Sequence, residues 1–155
     1  MRIRKAIMKD KEGLAKLYLQ FWEAHPNIDP LISIKKKPTL KNQIKAAAKD
    51  IKKKDEHYLI ADDHGRVAGF IELHIKKNHK MFKVSRFGYI NSLVVDKKYR
   101  KKGIARLLLK EGLKFFKARK MKYVRTNIYF SNKAAIKVWP KMGFRKESMF
   151  MLKKI

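Results

Sequence analysis

Apolar positions along the chain recur first at every second residue and then at every third or fourth. The period switches several times, which predicts alternating strands and helices and argues against a repeat or a coiled coil. Residues 2–8 read as a strand. Asp10 then stands where a helix N-cap is wanted, and Leu14, Leu17, Tyr18, Phe21 and Trp22 follow at the spacing of an amphipathic helix facing a core. Over 25–38 three prolines and the run Lys35-Lys36-Lys37 interrupt regular structure and predict a long loop. Thr39 caps a second helix, with Leu40, Ile44, Ala47, Ala48 and Ile51 inward and lysines over the remaining faces.

Residues 57–62 and 67–75 predict two strands around the turn Asp63-His64-Gly65-Arg66, a hairpin with glycine where positive φ is needed. A basic, irregular link follows. Residues 87–95 form a largely apolar run, as in a buried central strand, interrupted by the polar pair Asn91-Ser92. A long helix over 103–119 and a strand over 122–129 complete a βαβ unit. A shorter helix over 132–139 and a final strand or hairpin over 145–153 close the chain. The pattern as a whole predicts one α+β domain spanning residues 1–155.

Composition narrows the function. The 155 residues include 41 Lys and Arg against 13 Asp and Glu, a formal charge of +28. A chain of this length buries about 70% of its unfolded surface, and 45% hydrophobic residues exclude disorder for most of it. The absence of cysteine excludes disulfides, thiolate zinc sites, iron–sulfur clusters and a cysteine nucleophile. The first residues hold no apolar run long enough for a signal peptide or a membrane span, so a cytoplasmic protein is expected. So large a positive charge attracts polyanions of every kind. The basic residues are 32 Lys and only 9 Arg, whereas sequence-reading DNA sites rely on Arg. A general bias toward Lys, of the kind heat-adapted proteins show, accounts for the excess equally well. The lysine-covered second helix is accordingly either a solvated face or a contact for an acidic protein or RNA.

One segment carries candidate chemistry. Asp96-Lys97-Lys98-Tyr99-Arg100-Lys101-Lys102-Gly103-Ile104-Ala105-Arg106 is a basic turn with a glycine, feeding a helix N-terminus. The first turn of a helix has unpaired amides and partial positive charge, so a diphosphate is stabilised there. Taken alone, such a turn is more often a solvated connection than an anion site.

Its setting decides between the two. Arg100-x-x-Gly103-x-Ala105, after Leu93-Val94-Val95 and before an apolar helix, resembles the acyl-CoA pyrophosphate motif of the GNAT superfamily of N-acyltransferases. The opening Ile3-Arg4-Lys5-Ala6 with Asp10, and the hairpin from Tyr58 to Glu72, resemble the family's early elements. Asn132-Lys133-Ala134-Ala135-Ile136-Lys137-Val138-Trp139 with Met142-Gly143-Phe144 resembles its closing helix and hairpin. The likeness runs in family order over nearly the whole chain. It implies a three-layer GNAT-like fold with a mixed sheet of about six or seven strands, splayed after the fourth and flanked by about four helices.

The resemblance further implies acetyl-CoA as co-substrate, no metal, and direct transfer to a primary amine with no covalent enzyme intermediate. Leu93 and Val95 would pair with pantetheine as an added strand. The amides of Lys101, Lys102, Gly103, Ile104 and Ala105 would hold the pyrophosphate, with Arg100 and Arg106 adding charge. Asn132 would contact the pantetheine arm or simply cap the last helix. The oxyanion donor would be the amide of Val94 or Val95.

The chain departs from the family pattern at the catalytic positions. Asn91 stands where many members carry an acidic base, and Trp139, followed by Pro140, where many carry a tyrosine acid. Asn91 can still orient a water. Glu72, with Phe70 and His74 on its strand face, could take up a proton, and Tyr129 could protonate sulfur. A surface carboxylate and a plain strand aromatic are the alternatives for these two. The charge of +28 would repel a small polyamine, so the unknown amine acceptor is expected on an acidic or nucleic-acid partner. Loops 25–38 and 81–87 are expected to wall its site. A catalytically silent CoA-binding or RNA-binding module on the same fold is the second reading, and a homodimer stays open.

Overall fold

The computed structural model describes residues 1–25 and 29–155. Strands β1 (Arg2–Lys5), β2 (Glu56–Asp63), β3 (Arg66–Lys77), β4 (Arg86–Val95) and β5 (Val124–Thr126) form one sheet in that order. The first four are antiparallel neighbours, and β5 joins β4 in parallel. Strand alternation divides the apolar residues between two cores. On one face Tyr58, Ile60, Phe70 and Val94 meet Leu14 and Leu17 of α1 (Lys11–Ala24) and Ala47 of α2 (Leu40–Lys52). On the other Ile71, Leu73 and Ile90 meet Leu108 and Phe116 of α3 (Ile104–Ala118), with Trp139 at the end of α4 (Lys133–Val138). This is the expected three-layer arrangement, with four α-helices among the described residues. Gly88 lets α3 approach β4, because a Cβ there would lie 2.7 Å from the Phe116 ring.

Three local expectations change. The described residues hold five strands rather than six or seven. The strand expected over 122–129 is only three residues long, and residues 145–153 form neither strand nor hairpin. The physical reason is the lack of a neighbour: Met149, Phe150, Met151 and Leu152 are all exposed, and nothing among the described residues takes up their side chains. Asp10 occupies the α1 N-cap position without capping through its side chain. Its carboxylate instead accepts from Ile7 N–H (2.8 Å) and from two Arg4 nitrogens (2.8 and 2.9 Å), pinning β1 to the start of α1. Thr39 caps α2 as expected, accepting from Asn42 N–H. Of the loop predicted over 25–38, residues 26–28 lie outside the described residues, and Pro30–Ile32 is a single 3₁₀ turn. Among the described residues no helix is long and apolar enough to cross a membrane.

Candidate active site

The sheet opens after β4, as expected. That strand stays paired with β3 as far as Val95 opposite Gly69, but meets β5 only at Gly88, Tyr89 and Ile90. From Asn91 onward its second edge is open among the described residues. The N–H of Asp96 donates to Ala68 O at 3.0 Å, and alternation back from that bond turns Ser92 and Val94 toward β3. Leu93 and Val95 therefore present N–H and C=O to the gap. Of the two amides considered for an oxyanion, that of Val94 is directed into the sheet and that of Val95 faces the opening. The Arg100 guanidinium donates to Val95 O at 3.1 Å. That contact must part before an extended ligand can pair there.

The following turn is clamped from both sides. Asp96 accepts from Lys98 N–H (2.8 Å) and from the Gln20 amide of α1 (3.0 Å), while Gln20 in turn accepts from Lys97 N–H (3.2 Å). The Tyr99 hydroxyl donates to Asp63 at 2.8 Å. Lys101 (φ +60°) and Gly103 (φ +79°) are left-handed, and Gly103 forms the N-cap of α3. The first helical bond runs from Leu107 N–H to Gly103 O, so Ile104, Ala105 and Arg106 have no carbonyl in a preceding turn for their amides. A Cβ on Gly103 would meet nothing within 4 Å; glycine is required there by its φ, and the space before it is open. With Arg100, Lys101, Lys102 and Arg106 all exposed around it, this donor set fits a diphosphate, and the open edge of β4 fits the amides of an extended arm.

Beside the gap lies a buried carboxylate. Glu72 is 4% exposed, which overturns its reading as a surface residue. It accepts from Tyr18 OH (2.8 Å), Asn91 Nδ2 (2.8 Å) and His74 Nε2 (2.7 Å). A β-bulge produces this convergence. The β3–β4 register shifts between Glu72 and Leu73, opposite Ser92 and Ile90, so Asn91 is the extra residue and its side chain turns to the Glu72 face. Burial pushes the Glu72 carboxyl up, but the hydrogen bonds from His74, Asn91 and Tyr18 outweigh it and hold the group below its ordinary value. Burial and the Glu72 charge push the Tyr18 hydroxyl far above its ordinary value, so it stays a donor. Because ionised Glu72 only accepts, His74 Nε2 donates the hydrogen of that bond, and Nδ1 is the ring nitrogen left for another partner.

Glu72 forms part of the wall of a cavity of about 290 Å³. Tyr18 and Trp22 of α1 and Gln43, Ala47 and Asp50 of α2 form one side, with Glu56, Tyr58, His74 and Asn91 on the sheet side. Loops 25–38 and 81–87 contribute no described residue to this wall; the two helices do the work expected of them, because they pack across the same sheet face. Tyr129 is half-buried between β5 and α4, and its carbonyl accepts from Asn132 N–H. Asn132 caps α4, accepting from Ala135 N–H at 3.0 Å. Trp139 is buried against Phe144. The sequence reading missed Tyr18, Asp50, Glu56 and Tyr58 as site residues. The available signal was a hydroxyl-bearing aromatic on an apolar stripe and carboxylates among lysines.

An open central strand running into an anion-binding helix start is the arrangement of a transferase that takes an acyl group from coenzyme A. A model of the acetyltransferase (GNAT) family matches residues 12–144, and the chain belongs to that family. Acetyl-CoA is the co-substrate this membership implies. No curated protein sequence matches the chain. Among solved structures, a mutant protein from Bacillus halodurans superposes with a TM-score of 0.87 at 23% identity, covering 100% of this chain and 99% of the other. An aminoglycoside 6'-N-acetyltransferase from Acinetobacter haemolyticus gives 0.76 at 15% identity, covering 100% and 99%. An aminoglycoside N-acetyltransferase in complex with CoA gives 0.77 at 16%, covering 99% and 93%.

Proposed function

We propose that residues 1–155 act as one cytoplasmic acetyltransferase domain that moves an acetyl group from acetyl-CoA to a primary amine seated beside Glu72. The observation that carries this reading is Asn91, which holds Glu72 at the cavity wall and is the first residue of β4 beyond the reach of β5. Acceptor cavity and open edge thus meet at one residue.

The bound thioester supplies the activated acetyl group. Leu93 and Val95 hold its pantetheine arm, and the amides of Lys101, Lys102, Gly103, Ile104 and Ala105 hold the pyrophosphate with Arg100 and Arg106. Val94 serves by packing the strand into the core. Glu72 anchors the incoming ammonium by charge, and His74 Nδ1, or a water oriented by Asn91, takes its proton. The Val95 amide faces the position of the developing oxyanion. Tyr129 is the hydroxyl assigned to the departing sulfur. The capping carbonyl of Asn132 is already engaged, so its amide nitrogen is the group available to the arm.

The lysine-covered exterior supports an amine carried by an acidic protein or RNA, whereas the lining of the cavity supports a different acceptor, argued below. The exposed apolar tail, with Phe150 at 81% and Met151 at 87%, lies in the same chain as the open outer edge of β5, and a second copy of the chain is the partner that reading assigns to both. One observation favours a silent CoA-binding or RNA-binding module instead: Trp139 is buried where an acid would be wanted. Thiol release from acetyl-CoA with a panel of amines separates the two readings. Turnover that falls about a hundredfold in Glu72→Gln supports the enzyme; undiminished acetyl-CoA binding with no turnover of any amine supports the module.

A further inference from the structure

The cavity reverses the charge of the molecule. In a chain with 41 basic and 13 acidic residues, its wall carries three carboxylates, Asp50, Glu56 and Glu72, against one lysine, Lys53. Three aromatic side chains, Tyr18, Trp22 and Tyr58, share that wall. Carboxylates combined with aromatic faces are the chemistry that recognises organic ammonium groups. The exterior lysines do not cancel this field at contact range, because charges further away than about 8 Å are screened at physiological salt.

The wall already shows an ammonium in place. Lys53 Nζ lies 2.8 Å from Asp50 and 2.8 Å from Glu56, at the exposed end of α2. Glu56 lies opposite His74 in the β2–β3 register, and Glu56, Glu72 and His74 each offer an atom within 4.8 Å of the others. The ammonium position between Asp50 and Glu56 and the buried Glu72 therefore lie along one wall, the first at its more exposed end. The volume of about 290 Å³ sits at the low end of ligand cavities, about 300–1,000 Å³, and suits a small molecule.

Resting on the function proposed above, we infer that the acceptor is a short alkyl diamine, whose reacting amine sits at Glu72 and whose second ammonium displaces Lys53 from between Asp50 and Glu56. The reacting ammonium gives up one proton to His74 or water. Its nitrogen forms the new bond to the acetyl carbon as the carbon–sulfur bond breaks; sulfur keeps the electron pair and takes up the second proton, which the nitrogen loses as the neutral amide forms. The second ammonium stays charged throughout, so the product is a monoacetylated cation.

Putrescine and butylamine differ by that second ammonium, and the test compares them. Titration calorimetry of each into the protein saturated with CoA, together with kcat/KM for acetylation, should favour putrescine by about tenfold or more, the effect of one well-made charged contact. Asp50→Asn and Glu56→Gln should each shrink the preference, and Lys53→Met, which loses only exposed ion pairs, should enlarge it. Equal or no binding of the two amines, a preference indifferent to all three substitutions, or better turnover of an amine on an acidic peptide or RNA would each overturn the inference. An acetyl-CoA thermal shift in the same samples keeps the two proposals distinct. Its loss refutes the CoA-dependent function, whereas an intact shift without a diamine preference refutes only the acceptor.

Discussion

Three donors fix the state of Glu72, and that state decides its role. A carboxylate held ionised by Tyr18, Asn91 and His74 anchors a cation better than it removes a proton. Glu72→Gln should therefore lower kcat/KM for amine acetylation about a hundredfold while leaving the acetyl-CoA thermal shift in place; steady-state kinetics beside thermal unfolding checks both. Asp10 is held below the ordinary carboxylate value: burial raises it, and the hydrogen bonds from Arg4 and Ile7 outweigh that. A group depressed in the folded state stabilises above its unfolded value and loses that contribution as pH falls through the folded one. Stability should accordingly hold near neutrality and decline below about pH 4, with Glu72 adding to the same acid limb. Asp10→Asn should cost about 3 kcal/mol in denaturant unfolding at pH 7 and flatten that limb. Little of this was legible in the sequence. Residue spacing put Glu72 and His74 on one face, but only the bulge at Asn91 and the approach of Tyr18 from α1 turn them into a cluster.

At the scale of elements the sequence was more informative, because each element carries its own signal. The amphipathic stripe gave α1, the Thr39 cap gave α2, and a turn with glycine gave the β2–β3 hairpin. The pyrophosphate turn was legible for the same reason: its basic residues, its glycine and the helix behind it are contiguous. The last segment was not, since an apolar run shows that a strand wants partners without showing that the same chain supplies them. The turn makes a direct prediction. Gly103→Glu places a side chain at φ +79°, at a cost of about 1–2 kcal/mol, and adds negative charge where the diphosphate should sit. Acetyl-CoA should then cease to protect the protein against heat, while the unliganded fold persists.

The whole molecule combines a strongly positive exterior with an acidic cavity. Charge counted over a sequence predicts what the surface attracts and fails for the cavity, because burial and screening leave a bound ligand dependent on its nearest groups. The exposed tail adds a prediction at this scale. If a second copy covers Met149–Leu152 and the outer edge of β5, light scattering should report a dimer that removal of residues 148–155 converts to a monomer. A monomeric full chain would contradict it.

The central claim is that the opening after β4 and the start of α3 form an acetyl-CoA site. Its most direct test is thermal unfolding of the wild-type protein and Gly103→Glu at physiological salt, with acetyl-CoA and with ATP as polyanion control. At a hundred times its dissociation constant acetyl-CoA should add about 2.7 kcal/mol of stability. For a chain of this size that is a rise of about 5–10 °C in Tm, well beyond the effect of ATP and absent in the variant. Equal shifts with both ligands, or a shift that survives Gly103→Glu, would contradict it.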